Sequence, residues 1–193
     1  MWLPLGCAMR IVKNIFSQLH IYMIWLILSA LLWGWIFTFV TDTVPAKKVV
    51  LFVDAPACQD LELRMELEKD MPEGLRMVQV HPFTYAMFDE NTLLNADLYI
   101  VPASKVEEYR DSFAPLDDTV LPGQTRGPLD GIRVYDRAAG TGTADALITY
   151  AAPGTEAEDY YLFFGANSLH AAALTGSGDN AALAVAETLL NMK

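Results

Sequence analysis

From Lys47 to Ala57 the chain reads KKVVLFVDAPA, an apolar run of β-branched and aromatic residues that Pro56 ends. Such a run is typical of a strand buried on both faces of a parallel sheet. Two similar runs follow, LRMVQVHPF at 75–83 and DLYIVPAS at 97–104, and segments of helical composition separate the three. Strands that alternate with helices at these intervals predict an α/β domain with a mainly parallel sheet flanked by helices.

The first long helical segment of this domain is DLELRMELEKDMPEG, residues 60–74. Its leucines also alternate as in a strand, but Leu, Glu, Met, Arg and Lys all favour helix. Asp60 can cap the start of the helix, and Arg64 and Glu68 lie one turn apart. We therefore predict a helix here, ended by the Pro-Glu-Gly sequence.

The rest of the domain is predicted to contain three more helical segments and three more strands. The helical segments are TLLNA (92–96), KVEEYRDSF (105–113) and GDNAALAVAETLLNM (178–192), and the strands are GIRVYD (131–136), ALITYA (146–151) and YYLFFGANS (160–168). The first two of these strands flank one loop, so we expect them to form a hairpin with a long tip.

A long uncharged segment precedes the domain. From Ile21 to Val40 the chain reads IYMIWLILSALLWGWIFTFV, and at about 1.5 Å per residue this helix would span about 30 Å of hydrocarbon. The sequence therefore predicts one transmembrane helix. A secretory signal peptide is the competing interpretation, but its apolar core would be shorter and would end in a small-residue cleavage site. We therefore favour an uncleaved signal anchor.

Basic residues on both sides of this helix give only a weak charge bias, and we expect the amino terminus to be cytoplasmic. The predicted division of the chain is a cytoplasmic segment at 1–20, the transmembrane helix at 21–40, a linker at 41–47 and an extracytoplasmic domain at 48–193.

The composition excludes two broad classes of protein. The 193 residues include 13 Lys and Arg against 24 Asp and Glu, a formal charge of −11, and 53% of them are hydrophobic. So much apolar content excludes a disordered chain. Nucleic-acid binding needs a cationic surface, so we expect no nucleic-acid partner.

Two segments resemble a known family. ADLYIVPASKVEEYRDSFAPLDD (96–118) and YYLFFGANSLHAAALTGSGDNAALAVAETLL (160–190) are similar, in this order, to segments of the extracellular solute-binding proteins of ABC importers, family 1, which have the type II periplasmic-binding fold. In that family a whole second lobe lies between the two segments, whereas here only residues 119–159 do. The resemblance therefore implies a single periplasmic-binding-protein-like lobe, which cannot close around a solute by hinge motion.

Candidate binding residues follow from the predicted fold. In open α/β sheets, ligands bind outside the carboxyl ends of the strands, and the resemblance implies contacts on the same rim. The residues that this rule selects are Asp54, Gln59 and Asp60 after the first strand, His81 and Tyr85 after the second, and Ser104 and Lys105 after the third. Ordinary loop residues are the alternative interpretation of all seven.

Motifs for catalysis or metal binding are not found in the sequence. It contains no HExxH or CxxC pattern, and Ser168 and His170 lie in FGANSLH, which is not a G-x-S-x-G turn. Cys7 and Cys58 would lie on opposite sides of the membrane, so no disulfide framework is expected. We therefore expect no metal, no cofactor and no enzymatic activity.

These observations favour a non-enzymatic, single-pass protein of a bacterial cell membrane that displays one binding-protein-like lobe outside the cell. Its expected partners are the lipid bilayer, an ABC transporter permease or another membrane protein, and a small solute such as a sugar. The alternative is a genuine sugar-class solute-binding protein whose second lobe is supplied by oligomerisation. A cleft formed only in a dimer would favour this alternative, whereas a flat exposed aromatic patch would favour the interaction module.

Overall fold

The computed structural model describes residues 5–41, 43–83, 95–117, 119–176 and 178–192. The chain divides into two compact units, one that ends at Thr43 and one that begins at Val44.

The first unit is a single long helix, α1 (Leu5–Thr41). Within it, Gln18–Thr38 has a mean hydropathy of 1.9 and none of its residues is buried, so by length and composition this part could cross a membrane. The hydroxyls of Ser29 and Thr38 donate to backbone carbonyls one turn earlier, which satisfies their hydrogen-bonding groups without water. A membrane anchor and a signal sequence both have these properties.

The described residues of the second unit contain eight strands, which are β1 (Lys48–Val53), β2 (Ala57–Cys58), β3 (Met77–Pro82), β4 (Leu98–Pro102), β5 (Ile132–Asp136), β6 (Thr141–Gly142), β7 (Ile148–Thr149) and β8 (Tyr160–Phe164). Six of them form one sheet in the order β3-β1-β4-β8-β5-β6. The other two, β2 and β7, form a separate two-stranded sheet.

The main sheet is mixed rather than mainly parallel. Strand β1 runs parallel to both β3 and β4, as predicted. Strand β8, in contrast, runs antiparallel to β4 and to β5, and β5 runs antiparallel to β6. Parallel neighbours need a long crossover connection, usually a helix, and the described residues form no α-helix between β4 and β8. The fold is therefore α/β with a parallel half and an antiparallel half.

The prediction that 131–136 and 146–151 pair with each other in a hairpin was wrong. Strand β5 turns back into β6, and β7 pairs instead with β2. The early turn has a local cause, because Oδ1 of Asp136 accepts hydrogen bonds from the backbone N–H groups of Ala138 (2.9 Å) and Ala139 (3.3 Å). Gly140, with φ of +66°, then completes the reversal.

The helix predicted at 60–74 is confirmed in its first half as α2 (Asp60–Leu67), which continues as a 3-10 turn at Glu68–Asp70. Nε of Arg64 lies 2.9 Å from Oε1 of Glu68, one turn away as expected. Asp60 is the first helical residue rather than the cap, which is Gln59, and no side chain caps this end.

The other helical predictions had different outcomes. The terminal helix is confirmed as the last helix of the chain at Ala181–Asn191, preceded by one short helix at Ala172–Thr175. The segment 105–113 is not an α-helix but part of two 3-10 turns, Ala103–Lys105 and Arg110–Ser112. Most of the helix predicted at 92–96 lies outside the described residues. We call the helices at 172–175 and 181–191 α3 and α4.

Two apolar cores lie on opposite faces of the sheet. Along β1, Leu51 and Val53 belong to the core that also contains the buried residues of α2 and α4. Phe52, which points the other way, belongs to a second core with Val106 and Tyr109 from the segment after β4. Helices therefore cover one face of the sheet, and turns cover the other. Val106 and Tyr109 lie in the turn between the two 3-10 turns, and both are buried in the second core.

A buried histidine connects the two ends of the second unit. Nδ1 of His170 lies 2.8 Å from Oδ1 of Asp179, and Nε2 lies 3.0 Å from the carbonyl oxygen of Pro45. Because a carboxylate and a carbonyl only accept hydrogen bonds, both bonds form together only when both ring nitrogens carry a proton, that is, when the ring is an imidazolium. Burial lowers the pKa of His170, but the bonds to Pro45 and Asp179 and the nearby charge of Asp97 outweigh it and raise the pKa.

This geometry predicts a loss of stability at alkaline pH. Because folding raises the pKa of His170, protonation of this ring stabilises the folded state. This stabilisation is complete below the unfolded pKa of about 6.5 and is lost as pH rises through the folded pKa. We expect the free energy of unfolding to fall further over this rise in pH in the natural chain than in His170→Gln, which lacks the titrating ring. Denaturant titrations across this pH range measure the difference, and His20→Gln, at an exposed histidine of α1, is the control. Equal pH dependence in the natural chain and His170→Gln would contradict the prediction.

Candidate functional site

A cleft of about 520 Å³ lies at the edge of the main sheet where the parallel strands end. Strands β1, β3 and β4 reach this edge with their carboxyl ends, and antiparallel β8 reaches it with its first residue. The polar and aromatic side chains that line the cleft are Asp54, Phe83, Ser104, Lys105, Glu158 and Tyr160. The cleft thus occupies the position at which open α/β sheets bind ligands.

The floor of the cleft is organised by Asp54, a buried carboxylate directly after β1. Its backbone N–H donates to the carbonyl of Ile100 (2.8 Å), which continues the pairing of β1 with β4. Its Oδ2 accepts hydrogen bonds from Nζ of Lys105 (2.8 Å) and from the hydroxyl of Tyr109 (3.0 Å). Burial and the charge of Asp54 raise the pKa of Tyr109, so this phenol keeps its proton and donates.

Lys105 lies between an anion and an aromatic ring. Besides its ion pair with Asp54, its Nζ lies 4.1 Å from the centre of the Phe83 ring. A cation over a ring face is attracted by the negative face of the π system. About a third of the Lys105 side chain is exposed (34%), so the ammonium group is held in place but still reaches the cleft.

A second carboxylate, Glu158, forms another side of the cleft. Its Oε2 accepts a hydrogen bond from the backbone N–H of Ser104 (2.9 Å), which connects the segment before β8 to the turn after β4. Within the described part of the chain, no basic side chain forms an ion pair with Glu158. Next to it, burial and then the charges of Glu158 and Asp54 raise the pKa of Tyr160 to about 12, so the Tyr160 hydroxyl remains a donor.

The structure brings together three of the seven residues selected from the sequence, Asp54, Ser104 and Lys105. The others do not line this cleft or are not described. Both residues of β2, Ala57 and Cys58, line the cleft, but Gln59 does not: its N–H donates to the carbonyl of Leu147, and Asp60 then starts α2. His81 lies within β3 beside Phe52, and Tyr85 lies outside the described residues.

Sequence reasoning missed three residues of this cluster. Glu158 and Tyr160 were not selected because Glu158 precedes a strand and Tyr160 begins it, and a strand start reaches this edge only if the strand runs antiparallel. Tyr109 was placed in a helix, where its contact with Asp54 could not be foreseen. Asp54 and Lys105 could be selected because a polar residue that closely follows a buried strand is visible in the sequence. A residue at the start of a strand gives no such signal, because the direction of the strand decides which edge of the sheet it reaches.

Other groups considered from the sequence have structural roles here. Burial and then the charge of Asp60 raise the pKa of the Cys58 thiol to about 12, so little reactive thiolate forms near neutral pH. Ser168 donates to Oδ1 of Asp97 (2.5 Å) and accepts from the backbone N–H of His170 (3.0 Å). Among the side chains described, no three His, Cys, Asp or Glu residues are grouped so that they could hold a metal ion.

The chain matches no model of a known protein family, no curated protein and no solved structure. The resemblance to solute-binding proteins, drawn from two sequence segments, therefore stays a prediction.

The Asp54–Lys105 pair should contribute to stability because Asp54 is buried. In Lys105→Met the carboxylate would keep, among the side chains described, the Tyr109 hydroxyl alone, and we expect a loss of about 2 kcal/mol in the free energy of unfolding. The matched control is Lys69→Met, since Lys69 pairs with Glu66 at the surface, where both side chains are largely exposed (62% and 46%). That exposed pair should contribute almost nothing. Equal losses in the two variants, measured by urea denaturation, would contradict this role of Asp54.

Proposed function

We propose that this chain is a membrane-anchored binding module that holds a small polar solute in the cleft at the strand ends. The observation that carries this proposal is the cluster of Asp54, Lys105, Glu158 and Tyr160 around one cleft, with Phe83 beside them. Ligand sites in proteins commonly combine an apolar or aromatic lining with a few convergent polar groups. This cleft has both, and all of its lining comes from one chain.

The dimensions of the cleft support a small solute. Its volume of about 520 Å³ lies within the usual range of roughly 300–1,000 Å³ for small-molecule sites. Because the described residues form no second lobe to cover the ligand, the bound solute stays partly hydrated, and we expect a dissociation constant on the order of 0.1 mM. Weak, rapidly reversible binding suits a module that presents a solute to a transporter or reports its concentration as a sensor.

The anchor in this proposal is the apolar part of α1, Gln18–Thr38. The β1 strand begins at Lys48, only a few residues after α1 ends at Thr41, so the covalent connection is short. We propose that the second unit is displayed outside the cytoplasm, close to the membrane, where it could meet a transporter permease or another membrane protein.

The binding function predicts saturable binding that depends on the cleft. The full chain in phosphatidylcholine nanodiscs would be titrated calorimetrically with neutral sugars, amino acids, amines and carboxylic acids. At least one class should bind, and Ser104→Trp should abolish that binding, because Ser104 is exposed and its new ring would fill the cleft. Glu73→Trp, at an exposed turn before β3, is the matched control and should bind normally.

Two results would count against this function. If no solute class binds, or if Ser104→Trp binds as well as the natural chain, the cleft is not a solute site. Binding that appears only in a dimer, judged by native mass spectrometry, would instead support a site completed by a second copy.

The orientation is tested separately from binding. With the amino terminus in the cytoplasm, alkaline phosphatase fused after Lys193 should be active in a bacterial host, and green fluorescent protein at the same position should be dark. Fluorescence together with an inactive phosphatase would place the domain in the cytoplasm and contradict this orientation.

A further inference from the structure

The charges that line the cleft do not balance. Two carboxylates, Asp54 and Glu158, face one ammonium group, that of Lys105, among the described lining residues. Lys105 and Tyr109 both bind Oδ2 of Asp54, so the charge of this buried carboxylate is already compensated. Glu158 receives only the backbone N–H of Ser104 from the described residues. The uncompensated negative charge of the cleft is therefore at Glu158.

The cleft already binds one ammonium group, its own. Nζ of Lys105 is held by a carboxylate oxygen at 2.8 Å and a ring centre at 4.1 Å. The same kinds of group occur again at Glu158, where a carboxylate lies in the cleft together with the aromatic side chain of Tyr160. This second pairing of a carboxylate with an aromatic side chain has no cation of the chain in it, as far as the structure describes the chain.

We propose that the solute bound in this cleft carries a primary ammonium group, which pairs with Glu158 beside Tyr160. This inference rests on the proposed function and names the class of its ligand. A neutral solute over Glu158 would remove water from the carboxylate without supplying a counter-charge, which costs free energy. An anionic solute would meet the net negative charge of the lining and of the whole chain, −11.

A metal ion is a less suitable cation for this site. Ca²⁺ and Mg²⁺ require several oxygen ligands at defined distances, and no group of three suitable side chains occurs among the described residues. An organic ammonium group needs one carboxylate and benefits from an aromatic neighbour, which this cleft offers.

The test uses two solutes that differ in one group. Aminobutanol and butanediol have the same chain, with an ammonium group in place of one hydroxyl. Binding to the full chain in phosphatidylcholine nanodiscs would be measured by calorimetry, because these lipids carry no net charge to attract the amine. We expect aminobutanol to bind at least about tenfold more tightly than butanediol.

Two matched variants locate the ammonium group. Glu158→Gln removes the charge but keeps an oxygen that can accept from the Ser104 N–H, and we expect it to weaken aminobutanol binding about tenfold. Glu156→Gln removes one carboxylate two residues earlier, at an exposed position outside the cleft lining, and should have no effect. The melting temperature of each variant shows whether its fold is intact.

Each contrary outcome has a distinct meaning. Equal binding of aminobutanol and butanediol would overturn the ammonium inference, because the ammonium group would then add no affinity. Equal effects of the two Gln variants would also overturn it, because the ammonium group would then be attracted by the net charge of the domain and not by Glu158. Binding of a sugar or an acid that Ser104→Trp abolishes, with no preference for amines, would overturn this inference and leave the proposed function standing. If no solute of any class binds, both proposals fall.

Discussion

The second unit depends on how it compensates the buried carboxylate of Asp54. This residue follows β1, the strand with parallel neighbours on both sides, so its carboxylate is held where water is scarce. An uncompensated charge there would cost several kcal/mol, which is a large part of the stability of one domain. Both of its side-chain donors, Lys105 and Tyr109, come from the segment after β4. The charge therefore requires that segment to fold over the sheet edge.

The same requirement explains why the second core is covered by turns. A 3-10 turn brings Lys105 to the edge, and the next residues place Val106 and Tyr109 against Phe52. The rings of Phe52 and Tyr109 meet edge to face with centres 6.0 Å apart. This short segment thus covers the second apolar core and compensates the charge of Asp54. It also forms a wall of the cleft, so the stability of the fold and the shape of the site share residues.

Local sequence signals were sufficient for the parallel half of the fold and insufficient for the antiparallel half. The β1, β3 and β4 runs and the α2 segment are recognisable because burial and helix propensity act within a few residues. The sequence around β7 does not indicate its partner. A strand of two residues carries little pairing information of its own, and the tertiary fold places it beside β2. Strand direction is equally non-local, and for that reason Asp54 was foreseen as a cleft residue whereas Glu158 was not.

The carboxylates at the two edges of the sheet differ in how far the rest of the chain compensates their charge. At the edge where β4 begins, Asp97 accepts from Ser168 and from the backbone of Val50, and the imidazolium of His170 lies near it. At the edge where β4 ends, Asp54 is compensated but Glu158 keeps its charge facing a cleft. Glu158 is only partly buried, so its carboxylate, which has no counter-charge among the described residues, is accessible to a cation from solution. This asymmetry makes the cleft edge, rather than the His170 edge, the side of the domain to which a cation should come.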